Sequence, residues 1–98
     1  MYYCYILQSP SLHKFYFGFT HDVKVRLSAH NSGFVTATKP RRPWHLVWYC
    51  AFNTEREAKD FEKYLKSGSG KAFAYKRLVS VALAKDIGAR PTLPKPKA

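Results

Sequence analysis

The chain has 98 residues, 46% of them hydrophobic and 16% aromatic, which excludes a disordered segment and fits one globular domain. Seventeen Lys and Arg oppose six Asp and Glu, and the resulting charge of +11 points to a polyanionic partner, above all nucleic acid. No apolar run nears the roughly 20 residues of a membrane helix. No basic stretch followed by an apolar one marks a secretory signal, so the cytoplasm is the expected compartment.

Residues 2–7 read as a first strand and residues 15–19 as a second. A polar turn containing Pro10 lies between them, which predicts a hairpin. Alternation puts Phe15, Phe17 and Phe19 on one face of the second strand and Tyr16 and Gly18 on the other. In the first strand Cys4 and Ile6 oppose Tyr3, Tyr5 and Leu7. The simplest arrangement buries the phenylalanines with Cys4 and Ile6 and gathers Tyr3, Tyr5 and Tyr16 on the second face. Thr20 or Asp22 can then cap a helix running to about Asn31, which Ser32-Gly33 ends.

Residues 34–43 read as a loop holding the basic cluster TKPRRP. Residues 44–52 form a third strand whose apolar run suggests a central position or cover on both faces. Thr54 and Glu57 form a capping box for a second helix that runs to about Ser67. Ser67-Gly68-Ser69-Gly70 breaks it, and residues 71–85 read as a third helix. Residues 88–98, rich in Pro and Lys, read as a flexible basic tail after a domain spanning 1–87. The expectation is an α+β fold, with a small, mainly antiparallel three-stranded sheet flanked by helices in the order β-β-α-β-α-α.

Cys4 and Cys50 lie in strands without metal-ligand spacing, so both read as small buried hydrophobes and not as a disulfide in a reducing compartment. His13, His21 and His45 form no zinc-spaced pair. The second helix carries a more telling position. Ala58, Phe61 and Leu65 make its apolar stripe, and Glu62 sits on the same side. A carboxylate at the edge of a buried face must be paired or hold something. Either it bonds an arginine such as Arg26 or snorkels at the margin of the face, or it has a metal or catalytic role.

Arg26 and His30 are one turn apart on the first helix, beside an apolar strip of Val23 and Leu27. Arg26 is either a surface ion-pair residue or a planar clamp for phosphate. His30 is either a half-buried histidine, a phosphate donor or a proton relay. Tyr5 and Tyr16 alone read as packing residues. Together on one face and beside a cation they become candidates for proton transfer, because a cation stabilises phenolate.

These residues resemble the GIY-YIG endonuclease domain, and most closely its small stand-alone bacterial members, over residues 2–78. The first motif stands as Tyr3-Cys4-Tyr5 and the second as Tyr16-Phe17-Gly18. Arg26 follows Tyr16 by ten residues, and His30-Asn31 completes the R-L-x-x-H-N form. Glu62 takes the place of the family's metal-binding glutamate. The first motif lacks its Gly and Ile, and Ala74 stands where many members carry Asn.

The resemblance implies metal-assisted hydrolysis of phosphodiester bonds. One divalent ion, Mg²⁺ or Mn²⁺, would bind Glu62, and Arg26 would neutralise charge on phosphorus. Tyr5 would take the proton from water, Tyr16 would position water or share that role, and His30 would support the base or bind phosphate. Lys39, Arg41, Arg42, Lys66, Lys71, Lys76 and Arg77 are expected to hold the nucleic-acid backbone. The amides of residues 67–71 offer a further phosphate site at a helix start. No membrane or small-molecule cofactor is expected. With no specificity domain, the expected substrate is DNA cut with loose sequence dependence, with single-stranded, nicked and branched forms as candidates. The alternatives are a binding module without cleavage and an RNA-directed nuclease.

Overall fold

The structure is a computed structural model that describes residues 1–9 and 14–79. Three strands, β1 (Tyr2–Ser9), β2 (Lys14–Thr20) and β3 (His45–Phe52), form one antiparallel sheet in the order β2-β1-β3. Helix α1 (Val23–Ser32) follows β2, and a 3₁₀ turn (Lys39–Arg41) precedes β3. Helices α2 (Glu55–Lys66) and α3 (Gly68–Phe73) come next, followed by a π-helical turn (Ala74–Leu78). The α+β class and element order are those expected. No helix among the described residues is long and apolar enough to cross a membrane. The turn at Pro10, the end of the third helix at 85 and the tail at 88–98 lie outside the described residues.

The central strand is β1, not β3. Residues Cys4 to Ser9 are all buried, because β1 has a neighbour on each edge and a packed layer on each face. β3 is an edge strand, but its side chains reach both layers, which accounts for its apolar composition. Val47 and Trp48 join Cys4, Ile6 and Phe17 in one cluster with Leu65, Ala74 and Val79. Leu46 and Tyr49 join Tyr5, Leu7, Val23 and Trp44 in the other. A register shift between Ile6 and Leu7 makes this possible, since Ile6 faces Trp48 while Leu7 faces Leu46. The two faces divide as the alternation predicted, with Tyr3, Tyr5 and Tyr16 together in the second cluster.

Asp22 is the cap of α1, its carboxylate accepting from the Val25 N–H at 3.0 Å. Thr20 supports that cap by accepting from the Asp22 N–H. Gly33, left-handed at φ 85°, closes the helix and sends its N–H back to the last turn. At α2 the capping box is complete in both directions.

The third helix begins at Gly68 and not at residue 71. Ser67 ends α2 and caps α3 at once, through Gly70 N–H to Ser67 Oγ at 3.2 Å. Gly70 lets the new helix lie against the end of the old one, since a Cβ there would stand 1.6 Å from the Tyr64 carbonyl oxygen. The SGSG segment is therefore a tight corner between helices rather than a loop. Its Gly70 amide is taken by Ser67, which leaves that N–H no role in holding a phosphate.

Candidate active site

Tyr5 sits in the middle of the central strand and is 2% exposed. Its ring lies over Gly18, its partner across the β1–β2 ladder. A Cβ at 18 would be 2.6 Å from both Tyr5 Cζ and Tyr5 Oη, so the glycine is the space the phenol occupies. The second motif thus owes its glycine to the first motif's tyrosine. The sheet places the two side by side although many residues separate them in the chain.

The phenol meets the imidazole of His30. Tyr5 Oη and His30 Nε2 are 3.0 Å apart, and the contact is buried. His30 itself is fully buried. It therefore has no exposed surface with which to meet a phosphate. Its other nitrogen, Nδ1, lies 2.7 Å from Thr38 Oγ1. Tyr16 packs its ring edge-on against the same imidazole at 4.9 Å and against Trp44 at 6.3 Å. The rings of Tyr5 and Tyr16 are 6.3 Å apart. One histidine is thus enclosed by two tyrosines, a threonine and the wall that Trp44 provides.

Arg26 closes the open side. Its guanidinium lies within reach of the Tyr5 hydroxyl, which holds its pKa above the ordinary value, and it also neighbours Tyr16. Burial pushes the Tyr5 phenol up to about 12, opposed by Arg26. The charge of Glu62 adds to the rise. His30 is pushed down to about 4 by burial and then by the charge of Arg26, so it is neutral at physiological pH. The phenol and the imidazole are therefore both uncharged at rest, with one fixed cation beside them.

Glu62 comes from the opposite layer, on α2. Its side chain is 14% exposed and forms an ion pair with Lys66 on the next turn. Its partner is thus Lys66 and not Arg26. Its charge also helps raise the Cys4 thiol to about 12, after burial has done most. Cys4 and Cys50 are free thiols; Cys4 is buried as expected, while Cys50 is only half-buried.

No group of three His, Cys, Asp or Glu side chains converges among the described residues. Glu62 is a lone hard oxygen donor. That suits a small divalent cation of the Mg²⁺ or Mn²⁺ kind, which keeps water and substrate phosphate in its remaining positions.

The basic residues divide by location. Lys39, Arg41 and Arg42 are exposed in and beside the 3₁₀ turn, and Lys71, Lys76 and Arg77 are exposed on and after α3. Lys66 is engaged with Glu62. Arg42 donates from Nε to the Lys39 carbonyl at 2.9 Å and lies against Gly33. Next to it Phe34 is 83% exposed. Ala74 is fully buried in the first cluster and serves packing.

Two side chains of the site had no role assigned from the sequence, Asn31 standing there only as the end of the R-L-x-x-H-N form. Asn31 bonds the main chain of Trp44 in both directions, accepting its N–H at 2.7 Å and donating to its carbonyl at 3.0 Å. This ties the end of α1 to the start of β3 and holds His30 in place. Thr38 is 2% exposed and takes the Trp44 indole N–H on its carbonyl at 2.9 Å. Only the turn following α1 brings it beneath the histidine.

The candidate side chains thus come from two strands and two helices, Tyr5 on β1, Tyr16 on β2, Arg26 and His30 on α1 and Glu62 on α2. Residues 1–76 match the model of the GIY-YIG catalytic domain, and the chain belongs to that family. GIY-YIG domains form a nuclease family. Similar proteins include UPF0213 protein YazA of Bacillus subtilis (strain 168), 42% identical over 52% of each chain. UPF0213 protein CPE1444 of Clostridium perfringens is 37% identical over 67% of this chain and 71% of its own. UPF0213 protein SAG0778 of Streptococcus agalactiae is 38% identical over 71% of this chain and 80% of its own. The match to YazA spans about half the length of that protein.

Proposed function

We propose that the protein is a DNA endonuclease of low sequence specificity, with Tyr5, Tyr16, Arg26, His30 and Glu62 as its working residues. The observation that carries this reading is the buried Tyr5–His30 hydrogen bond beside Arg26. A phenol raised to about 12 is not a resting phenolate. It can take a proton from water only by passing its own on, and the imidazole at 3.0 Å is the group in contact with it that can accept one.

In the proposed reaction the attacking water gives its proton to Tyr5 Oη as the Tyr5 proton moves to His30 Nε2. The resulting hydroxide attacks phosphorus, the P–O bond to the leaving oxygen breaks, and that oxygen takes a proton from solvent. Arg26 neutralises charge building on the phosphate oxygens. Tyr16, less buried and not bonded to the imidazole through its hydroxyl, orients the water. Glu62 would hold a Mg²⁺ or Mn²⁺ ion, which when bound supplies Lewis-acid polarisation of the phosphate and of the leaving oxygen. Lys66 shields the carboxylate until then.

Lys39, Arg41, Arg42, Lys71, Lys76 and Arg77 would grip the backbone without reading sequence. Phe34, exposed next to the cationic turn, favours substrates with unpaired bases on which it can stack, such as single strands or branches. The test is cleavage of labelled single-stranded, duplex and branched DNA, and of RNA, in Mg²⁺, Mn²⁺ or EDTA. Glu62→Ala and Arg26→Ala run alongside. Metal-dependent cutting of DNA, lost in both variants, is expected. Binding without cutting in every metal would overturn the reading, and cutting confined to RNA would move the substrate class.

A further inference from the structure

The hydroxyl proton of Tyr5 needs an acceptor, because the side chain is 2% exposed. Arg26 cannot serve, since a guanidinium only donates. His30 Nε2, at 3.0 Å, can serve only if the imidazole carries its single proton on Nδ1. Nδ1 faces Thr38 Oγ1 at 2.7 Å. A hydroxyl has one proton and two lone pairs, so whether Thr38 donates to or accepts from the ring depends on where its own proton goes. The Val35 carbonyl, which also accepts the Thr38 and Lys39 N–H groups at 3.1 and 3.0 Å, favours one direction. It lies 3.3 Å from Thr38 Oγ1 in donor geometry, so the threonine proton is directed there and its oxygen is left to accept from Nδ1–H. The phenol, both ring nitrogens and the threonine hydroxyl are then all paired, in the chain Tyr5 O–H to Nε2, Nδ1–H to Thr38 Oγ1, Thr38 O–H to the Val35 carbonyl.

The opposite assignment fails the same accounting. With Thr38 donating to Nδ1, Nε2–H would point at Tyr5 Oη, as Arg26 does, and the phenol proton would be left without an acceptor among these groups. A buried polar hydrogen left unpaired is costly. We propose that Thr38 is a positioning residue of this site, holding His30 as the Nδ1–H tautomer so that Nε2 is open to the proton of Tyr5. Its effect on rate rests on the nuclease reading above, while its effect on the tautomer does not.

Thr38 itself is fixed from two sides. Its carbonyl takes the Trp44 indole at 2.9 Å, and its N–H bonds the Val35 carbonyl at 3.1 Å. The hydroxyl is therefore presented on a rigid turn, as a group that sets another's orientation must be.

The experiment is ¹⁵N NMR of the histidine rings in the wild type, Thr38→Ser and Thr38→Val, with DNA cleavage measured on the same samples. The Nδ1–H tautomer is expected at neutral pH in the wild type and in Thr38→Ser, with cleavage in the latter within about 3-fold. Thr38→Val is expected to shift His30 toward Nε2–H and to lower kcat by roughly 10- to 100-fold with KM for DNA little changed. An Nε2–H tautomer in the wild type, or an unchanged Nδ1–H tautomer in folded Thr38→Val, overturns the assignment. If Thr38→Val does not fold, the wild-type tautomer decides. If the wild type cuts no DNA, the nuclease reading fails, and the tautomers still decide the role of Thr38.

Discussion

Gly18 and Tyr5 face each other across neighbouring strands, and the phenol lies where a side chain at 18 would have to be. Gly18→Ala would put a methyl 2.6 Å from the hydroxyl. The ring must then move and lose its bond to His30. The expected outcome is a stability loss of about 1–3 kcal/mol from overpacking, seen in urea melts. Cleavage is expected to fall by at least about 10-fold. Full activity in a folded Gly18→Ala protein would remove Tyr5 from the reaction.

In the proposed reaction Lys66 would compete with the metal for the Glu62 carboxylate. Glu62→Gln keeps the shape but removes the charge. Cleavage is expected to be lost at any Mg²⁺ concentration, while DNA binding measured by anisotropy in EDTA persists. Lys66→Ala frees the carboxylate. Half-maximal cleavage at saturating DNA is then expected at a Mg²⁺ concentration a few-fold lower. The pair is half-exposed on the lysine side, so its loss is expected to change stability by less than about 1 kcal/mol.

Acid should destabilise the protein through His30. The folded side chain titrates at about 4, against an ordinary 6.5, because burial and then Arg26 disfavour the imidazolium. The unfolded chain therefore binds a proton that the folded one refuses between those values. Stability from this group is fully present above pH 6.5, is lost as pH falls toward 4, and amounts to ~3 kcal/mol. The check is the denaturation midpoint between pH 7 and 4. His30→Gln, less stable overall, is expected to show a flatter dependence over that window; equal slopes would assign the acid sensitivity elsewhere.

Asn31 acts as a side-chain rung between α1 and β3, with bonds of 2.7 and 3.0 Å to the Trp44 main chain. Asn31→Ala removes both and is expected to cost about 2 kcal/mol. Asn31→Asp keeps the acceptor but leaves the Trp44 carbonyl facing a carboxylate, and is expected to cost at least as much. Chemical denaturation measures both. Because Asn31 adjoins His30, both variants are also expected to slow cleavage more than they weaken DNA binding.

Several features of the chain were legible because they are local. Period-two alternation divided β1 and β2 into their two faces, and those faces are the ones observed. Helical spacing put Arg26 and His30 on one side and Glu62 on the stripe of Ala58 and Leu65. The capping residues Asp22, Thr54 and Glu57 marked where helices begin, because their hydrogen bonds span only a few residues.

What remained for the tertiary structure was everything that depends on which element lies beside which. An apolar run reports that both faces of a strand are covered, not that both edges are paired. That is why β3 read as central or covered on both faces, of which only the cover holds, while β1 is the central strand. The start of α3 at Gly68 depends on the close approach of Gly70 to Tyr64, and the partner of Glu62 on which cation its rotamer reaches. The burial of His30, its bond to Tyr5 and its contact with Thr38 join residues from a strand, a helix and a turn. No spacing rule links those three. Composition supplied the acid-base groups and the cations, but the direction in which a proton can move among them is set only by packing, which decides what each buried hydrogen has to bond.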